Sequence, residues 1–125
     1  MSVNEVNILV LAYLGDCIYE KYVREFLIKN NIQNVNELQK ASIKYVSAKN
    51  QAYYLQKMID NCFLDENEIS VVKRARNYKS GRHPKNCDII TYKHATALEA
   101  LIGYYRLSNN DFRIEQIMEY ILNEK

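Results

Sequence analysis

The chain has 125 residues, of which 48% are apolar, and its 17 basic and 15 acidic side chains give a formal net charge of +2. This length suits one domain spanning residues 1–125 and is too short for two independent cores. The chain has no low-complexity tract, which argues against disorder. Its three glycines and one proline are too few for a turn-rich β fold.

We expect the N-terminal apolar run to be neither a signal peptide nor a membrane span. No Lys or Arg precedes it, and Asp16 interrupts it well before the roughly 20 residues that a membrane helix needs. The three cysteines, Cys17, Cys62 and Cys87, match no C-x-x-C pattern. We therefore expect reduced thiols without a metal site built on them, in a cytoplasmic protein with no membrane partner.

Apolar residues recur at helical spacing along most of the chain, which predicts an all-α fold of five to seven helices. In chain order the predicted helices cover about residues 5–29, 35–60 with a break near Ala41–Ser42, 66–77, 92–107 and 109–123. The helix starts are indicated by capping residues, namely Asn34 with Glu37, Asp65 with Glu68, Thr91, and Ser108 with Asp111. The remaining long stretch, Tyr78 to Ile90, is predicted to be a loop.

Two predicted helices carry acids among apolar residues. In LAYLGDCIYE, residues 11–20, Asp16 and Glu20 fall within about 20° of Leu9 on a helical wheel, which predicts that Asp16 points with the apolar stripe. Glu99 is the only acid of ATALEALIGYY, residues 95–105. A buried carboxylate requires a cation, a metal ion or strong hydrogen-bond donors.

A glycine accompanies each of these acids. Gly15 precedes Asp16 and Gly103 follows Glu99 by one turn, although glycine costs about 1 kcal/mol against alanine inside a helix. Glycine allows two helices to approach closely. An Asp and a Glu on crossing helices would suit Mg²⁺, which takes one or two carboxylates beside water and phosphate oxygens. The pattern leaves open the alternative that both acids form salt bridges at the edge of the core.

The predicted loop is strongly basic. VKRARNYKSGRHPKNCD, residues 72–88, places six basic residues within 13 positions and contains no acid between Glu68 and Asp88. These six are Lys73, Arg74, Arg76, Lys79, Arg82 and Lys85. Concentrated positive charge attracts phosphate and indicates a nucleic-acid contact, the alternative being a solvated polar loop.

These segments resemble a known family. LAYLGDCIYE resembles the signature helix of the ribonuclease III family, and TALEALIGYY, residues 96–105, resembles its second acidic motif. Together with YVSAKNQA, residues 45–52, and the basic segment, they resemble the short Mini-ribonuclease III branch, which has the nuclease domain without a separate double-stranded-RNA-binding domain. The resemblance covers nearly the whole chain.

The resemblance implies the ribonuclease III endonuclease-domain fold, a homodimer, and Mg²⁺-dependent cleavage of double-stranded RNA to 5′-phosphate and 3′-hydroxyl ends. Structured precursor of large-subunit ribosomal RNA is the implied substrate class. Asp16 and Glu99 match the catalytic and metal-binding acids, and Tyr13 matches the aromatic residue that packs across the dimer axis. Arg74, Arg76, Lys79, Arg82 and Lys85 are expected to hold RNA phosphates, with Lys49 and Arg24 extending that surface.

The chain departs from the family in its remaining acids. The positions of the other family carboxylates fall on Leu9, Ala12 and Thr96. Glu20 could assist Asp16 through a water molecule or, as we favour, fix a cation at the dimer interface. The reduced acidic cluster leaves open a non-catalytic RNA-binding or ribosome-assembly protein on the same scaffold. A helical protein-interaction module without an RNA role is a further alternative.

Overall fold

The computed structural model describes residues 2–78, 85 and 87–123. Within these residues all regular secondary structure is helical and no strand occurs, which confirms the predicted all-α class. A short 3₁₀ turn, Val3–Glu5, precedes six α-helices: α1 (Ile8–Lys29), α2 (Val35–Val46), α3 (Ala48–Asp60), α4 (Glu66–Arg76), α5 (Ile89–Leu107) and α6 (Asp111–Leu122). No helix in the described part of the chain is long and apolar enough to cross a membrane.

The break between α2 and α3 lies at Ser47, so its predicted position near Ala41–Ser42 is wrong. Ser47 has extended backbone angles, φ −63° and ψ 149°, and is both the C-cap of α2 and the N-cap of α3. Its hydroxyl accepts a hydrogen bond from the backbone N–H of Asn50 at 3.2 Å. This single residue turns the chain and thereby directs the first turn of α3 toward α5.

The caps of α5 and α6 also differ from those predicted. α5 begins at Ile89 because Asp88, and not Thr91, is its N-cap: the Asp88 carboxylate accepts from the backbone N–H of Thr91 at 2.9 Å. Asn110 is the N-cap of α6, whereas the Ser108 hydroxyl donates to the Tyr104 carbonyl at the end of α5 at 2.7 Å. In both cases the polar side chain nearest the free N–H groups is the cap, because those groups need an acceptor.

The core is built around α5, which is buried on all sides along its middle. Eight residues between Ala95 and Gly103 are buried. A helix that is apolar all round must be enclosed by other elements. Helices α1, α3 and α4 pack directly against α5, and α6 adds a further side. α5 therefore presents Glu99 to the inner faces of its neighbours.

A buried ion pair joins α4 to α6. Glu68 is 1% exposed, and both its carboxylate oxygens accept from the Arg113 guanidinium, at 2.7 and 2.8 Å. The same carboxylate accepts from the backbone N–H of Asp65, which completes the predicted capping box, and from the Tyr105 hydroxyl. Burial by itself raises the pKa of Glu68, but the hydrogen bonds from Arg113, Tyr105 and Asp65 outweigh it and lower that pKa.

We expect Glu68→Gln to lower the free energy of unfolding by about 3 kcal/mol at pH 7, because it leaves the Arg113 charge buried without its partner. Urea denaturation followed by circular dichroism measures this loss. A carboxylate with a lowered folded-state pKa stabilises the protein above its unfolded pKa, near 4.3, and loses that stabilisation as the pH falls. The difference from wild type should therefore shrink below about pH 4. Glu66→Gln, an exposed position in the same turn, is the control and should change little.

Candidate active site

α1 and α5 meet backbone to backbone at the two glycines that the sequence singles out. A Cβ atom on Gly15 would overlap the Glu99 carbonyl group, and one on Gly103 would overlap the Leu11 carbonyl group. Residues 15 and 99 thus face each other, as do residues 11 and 103, so the helices run antiparallel. The prediction that these glycines permit a close helix crossing is confirmed. The crossing brings Asp16, next to Gly15, beside Glu99.

Asp16 lies at the edge of the buried face of α1 and is exposed to solvent. The prediction that it points with the apolar stripe is therefore wrong for this chain. The buried face is centred on Ile8, Gly15 and Tyr19, about 100° around the helix from Leu9, which is only half-buried. Asp16 consequently stands at the rim of the helix crossing, where a cation can reach it from solvent.

The Glu99 carboxyl is strongly affected by its surroundings. Burial, followed by the hydrogen bond to and the charge of the Asp16 carboxyl, raises the pKa of Glu99 to about 9. The Glu20 charge adds to this rise, and a hydrogen bond from Gln51 opposes it. Without a cation, Glu99 therefore holds a proton at neutral pH, because burial and the adjacent Asp16 carboxylate both disfavour its charged form. A divalent cation could take the place of that proton.

We expect Glu99→Gln to unfold at a higher temperature than wild type at pH 7 in EDTA, with a gain of about 1–2 kcal/mol in the free energy of unfolding. A carboxyl whose folded pKa lies above its unfolded pKa, near 4.5, destabilises the fold increasingly as the pH rises between the two values. The amide has no such slope, so the two proteins should converge at pH 4. Thermal unfolding at pH 4, 7 and 9 measures this, and a variant less stable at every pH would contradict it.

The donor set at this crossing suits magnesium, not a soft metal. No group of three or more His, Cys, Asp or Glu side chains in the described residues has metal-binding geometry. The pair Asp16 and Glu99 nevertheless fits Mg²⁺, which is held by one or two carboxylates and keeps several waters or phosphate oxygens. Glu20 is the third acid nearby, and its carboxylate accepts from the Arg24 guanidinium at 3.3 Å. Arg24, predicted to extend the RNA surface, is thus paired with Glu20.

The remaining family positions contribute no carboxylate. The Thr96 hydroxyl donates to the Tyr92 carbonyl at 2.8 Å and so turns back on its own helix. Ala12 is buried in the core, and Leu9 packs against it. None of these three positions therefore adds a carboxylate to Asp16 and Glu99, as the sequence predicts.

One site residue was not identified from the sequence. Gln51, in the first turn of α3, is 2% exposed, and its Nε2 donates to Glu99 Oε2 at 3.4 Å. The available signal was its spacing: Gln51, Leu55 and Met58 lie on one face of α3, and the other two are apolar core residues. A glutamine on such a face indicates a buried hydrogen-bond partner elsewhere in the fold.

The basic segment begins at the end of α4. Arg74 is exposed and Arg76 is half-buried in the last turn of α4, and Lys85 is exposed. Lys79 and Arg82 lie outside the described residues. Lys49 is exposed in the first turn of α3, two residues before Gln51. Their roles toward RNA stay predictions.

The described ends of this segment flank the acids. At one end, the Asn7 side-chain amide, which caps the start of α1, donates to the Tyr78 hydroxyl at 3.2 Å. At the other end, Asp88 opens α5, which runs antiparallel to α1. With a rise of 1.5 Å per residue, Asp16 lies roughly 13 Å from Asn7 along α1, and Glu99 roughly 16 Å from Asp88 along α5. Along the helix axes, Tyr78 therefore lies toward one end of the α1–α5 pair and Asp88 toward the other, with Asp16 and Glu99 between them.

An apolar strip of α1 faces solvent beside Asp16. Tyr13 is 84% exposed and Val10 is 54% exposed, and the Cys17 side chain is exposed next to them. Large apolar side chains on a helix that otherwise forms the core indicate a surface that another protein covers. The position of Tyr13 at a dimer axis stays a prediction.

Comparison with known proteins defines the class to which this fold and this site belong. Residues 9–110 match the Ribonuclease III domain. A Fusobacterium nucleatum protein of known crystal structure has the same fold, with a TM-score of 0.85 and 33% sequence identity over 96% of both chains. The chain belongs to the ribonuclease III family and is an endoribonuclease.

Its curated relatives place it in the short branch of that family. It is 51% identical over 116 residues to the Mini-ribonuclease 3 of Brevibacillus brevis, covering 93% of this chain and 85% of that protein. It is 44% identical over 127 residues to the Mini-ribonuclease 3 of Desulfitobacterium hafniense, covering 98% of this chain and 79% of that protein.

Proposed function

We propose that this chain, as one catalytic domain over residues 1–125, hydrolyses phosphodiester bonds of double-stranded RNA in a Mg²⁺-dependent reaction. The observation that carries the proposal is the glycine crossing, which places the carboxyl groups of Asp16 and Glu99 side by side at a surface open to solvent. The two acids cannot both be ionised at neutral pH without destabilising the fold unless a cation lies between them, and such an arrangement is typical of a functional site.

Asp16 and Glu99 would hold the Mg²⁺ ion. When bound, the ion activates water and neutralises charge on the reacting phosphate. The side chains of this protein supply the rest: Asp16 stands at the solvent rim, where a phosphate can approach, and Glu99 anchors the inner side of the site from the most buried helix. We infer 5′-phosphate and 3′-hydroxyl products, as the family resemblance implies.

The RNA surface that we propose joins the basic segment to the start of α3. Arg74, Arg76, Lys79, Arg82 and Lys85 would hold phosphates, with Lys49 extending the surface from the first turn of α3. An A-form duplex is recognised mainly through its backbone and shape. A cationic surface is suited to that recognition, and structured precursor of large-subunit ribosomal RNA is the substrate class that we propose.

We also propose that two copies act together. The exposed strip at Val10, Tyr13 and Cys17 supports a symmetric dimer in which α1 faces its partner copy. Such a dimer would carry two acid pairs, one for each strand of the duplex.

Cleavage of a long, end-labelled RNA duplex tests the function. We expect cutting with Mg²⁺, none in EDTA, and little cutting of either strand alone, with new ends that a 5′-phosphate-dependent exonuclease degrades. Firm duplex binding without cutting under any metal condition would overturn the proposal and favour the non-catalytic RNA-binding alternative, which the loss of acids at Leu9, Ala12 and Thr96 supports. Absence of both binding and cutting would favour a protein-interaction module.

The double variant Arg74→Ala/Lys85→Ala should weaken duplex binding and make it less sensitive to salt. Each phosphate that the protein no longer neutralises lowers the slope of log affinity against log salt concentration by about 0.7–0.9. We expect the slope to fall by about 1.5 for two such phosphates, as measured by gel shift between roughly 50 and 200 mM salt. Lys29→Ala/Lys40→Ala, which removes two exposed lysines elsewhere, is the matched control. An equal fall of the slope in the control would contradict the proposed surface.

A further inference from the structure

Among the described residues, Gln51 is the most deeply buried polar side chain that points at the acids. It is 2% exposed, less than Thr96 at 7%. The backbone break at Ser47 directs the first turn of α3 at α5, so that the Gln51 amide reaches Glu99 Oε2 at 3.4 Å. Burying an amide costs free energy unless it is hydrogen-bonded, and an apolar side chain on this face would pack without that cost. The position therefore requires an explanation beyond packing.

A comparison of the buried Glu68 with the half-buried Glu99 shows what is special about this contact. Glu68 is paired with the Arg113 guanidinium through both its oxygens, so its charge is fully compensated. Glu99 receives its hydrogen bond from an amide, which is neutral. A neutral donor fixes the direction of a carboxylate without cancelling its charge, whereas an arginine would compete with a cation.

We infer that Gln51 is a positioning residue that holds the Glu99 carboxylate in the orientation needed to bind the divalent cation. The inference rests on the proposed function, since it assigns Gln51 a role toward the cation of that site. The amide donates to one Glu99 oxygen and leaves the other oxygen for the cation. Hydrogen-bond partners of metal ligands typically contribute 10- to 100-fold to metal affinity or activity.

The test measures metal binding on the RNA-free protein as well as cleavage. Gln51→Met keeps the unbranched shape and removes the donor. Gln51→Asn keeps an amide that is one methylene too short to reach Glu99, and it carries the test should the methionine variant fail to fold. We expect Mn²⁺ binding, followed by electron paramagnetic resonance, to weaken about tenfold in each variant that folds. The Mg²⁺ concentration for half-maximal cleavage should rise by the same factor, while the KM for duplex and the cleavage rate at saturating Mg²⁺ stay within about twofold of wild type.

Gln56→Met is the matched control, because Gln56 lies on the same helix and, among the described residues, its side-chain amide donates a hydrogen bond only to Asp60, one turn away, at 2.8 Å. It should leave Mn²⁺ affinity unchanged. Folded Gln51 variants with wild-type Mn²⁺ affinity, or a lower cleavage rate that saturating Mg²⁺ does not restore, would overturn the inference. A wild-type protein that binds Mn²⁺ but cuts no duplex would overturn the proposed function alone. A wild-type protein that binds no Mn²⁺ would overturn both.

Discussion

Asp16→Asn and Glu99→Gln are each expected to slow duplex cleavage by about a thousandfold or more at saturating RNA. Each change removes a negative charge from the proposed metal site, to which the described residues contribute two adjacent carboxyl groups. Metal catalysis contributes several kcal/mol of charge stabilisation in the transition state, with about 1.4 kcal/mol for each tenfold in rate. If both acids hold one ion, as we propose, the double variant should be hardly slower than either single variant. Single-turnover cleavage with a separate measurement of duplex affinity distinguishes lost chemistry from lost binding.

Glu115→Gln is the control for these variants, since Glu115 is an exposed acid on α6, outside the crossing. It should cut at the wild-type rate. Retention of more than about a tenth of the wild-type rate in Asp16→Asn, with the fold intact, would show that Asp16 is not a required ligand.

Gly15→Ala should destabilise the protein by about 3 kcal/mol, although the same change in an ordinary helix interior stabilises by about 1 kcal/mol. The reversed sign follows from the Glu99 carbonyl, which occupies the place of the new methyl group and belongs to a backbone that cannot turn aside. α1 and α5 would have to separate, which would also move Asp16 away from Glu99. Stability in urea and Mg²⁺-dependent cleavage should therefore fall together.

Glu25→Ala provides the comparison, because Glu25 is an exposed position on the same helix. The Glu25→Ala substitution should change the free energy of unfolding by no more than about 0.5 kcal/mol. A Gly15→Ala protein as stable as wild type would mean that the two helices can separate at little cost.

Helix positions could be predicted from the sequence wherever the signal is local. Asn34 and Asp65 cap α2 and α4 as predicted, because an N-cap bonds to N–H groups within three residues. The break at Ser47 was misplaced, since the serines at 42 and 47 are equally plausible from sequence and packing decides between them. The inward direction of Asp16 was misjudged for a similar reason: the buried centre of α1 depends on where α5 crosses it.

The candidate site could be predicted from the sequence only in part, for the same reason. Gly15, Asp16, Glu99 and Gly103 stand out because each breaks a local rule, a glycine or an acid inside an apolar helix. Gln51 breaks a rule as well, but its partner lies 48 residues away and no local pattern connects the two. The ion pair of Glu68 with Arg113 spans 45 residues and could not be predicted for that reason.

The closeness of α1 and α5 has a consequence for how the proposed metal site would respond to an ion. Both acids are anchored in the interiors of packed helices, so little chain entropy remains to be lost when a cation arrives. Without an ion, the Asp16 and Glu99 carboxyl groups interact unfavourably when both are charged. A bound ion would remove this repulsion without any rearrangement of α1 and α5. Metal loading should therefore raise the melting temperature while leaving the helix content and the amide proton spectrum of the core almost unchanged. An insertion of a single residue between Leu11 and Asp16 would rotate the acid by about 100°. The buried residues of α1 after Asp16 would turn with it, so the helix crossing and the proposed site would be lost together.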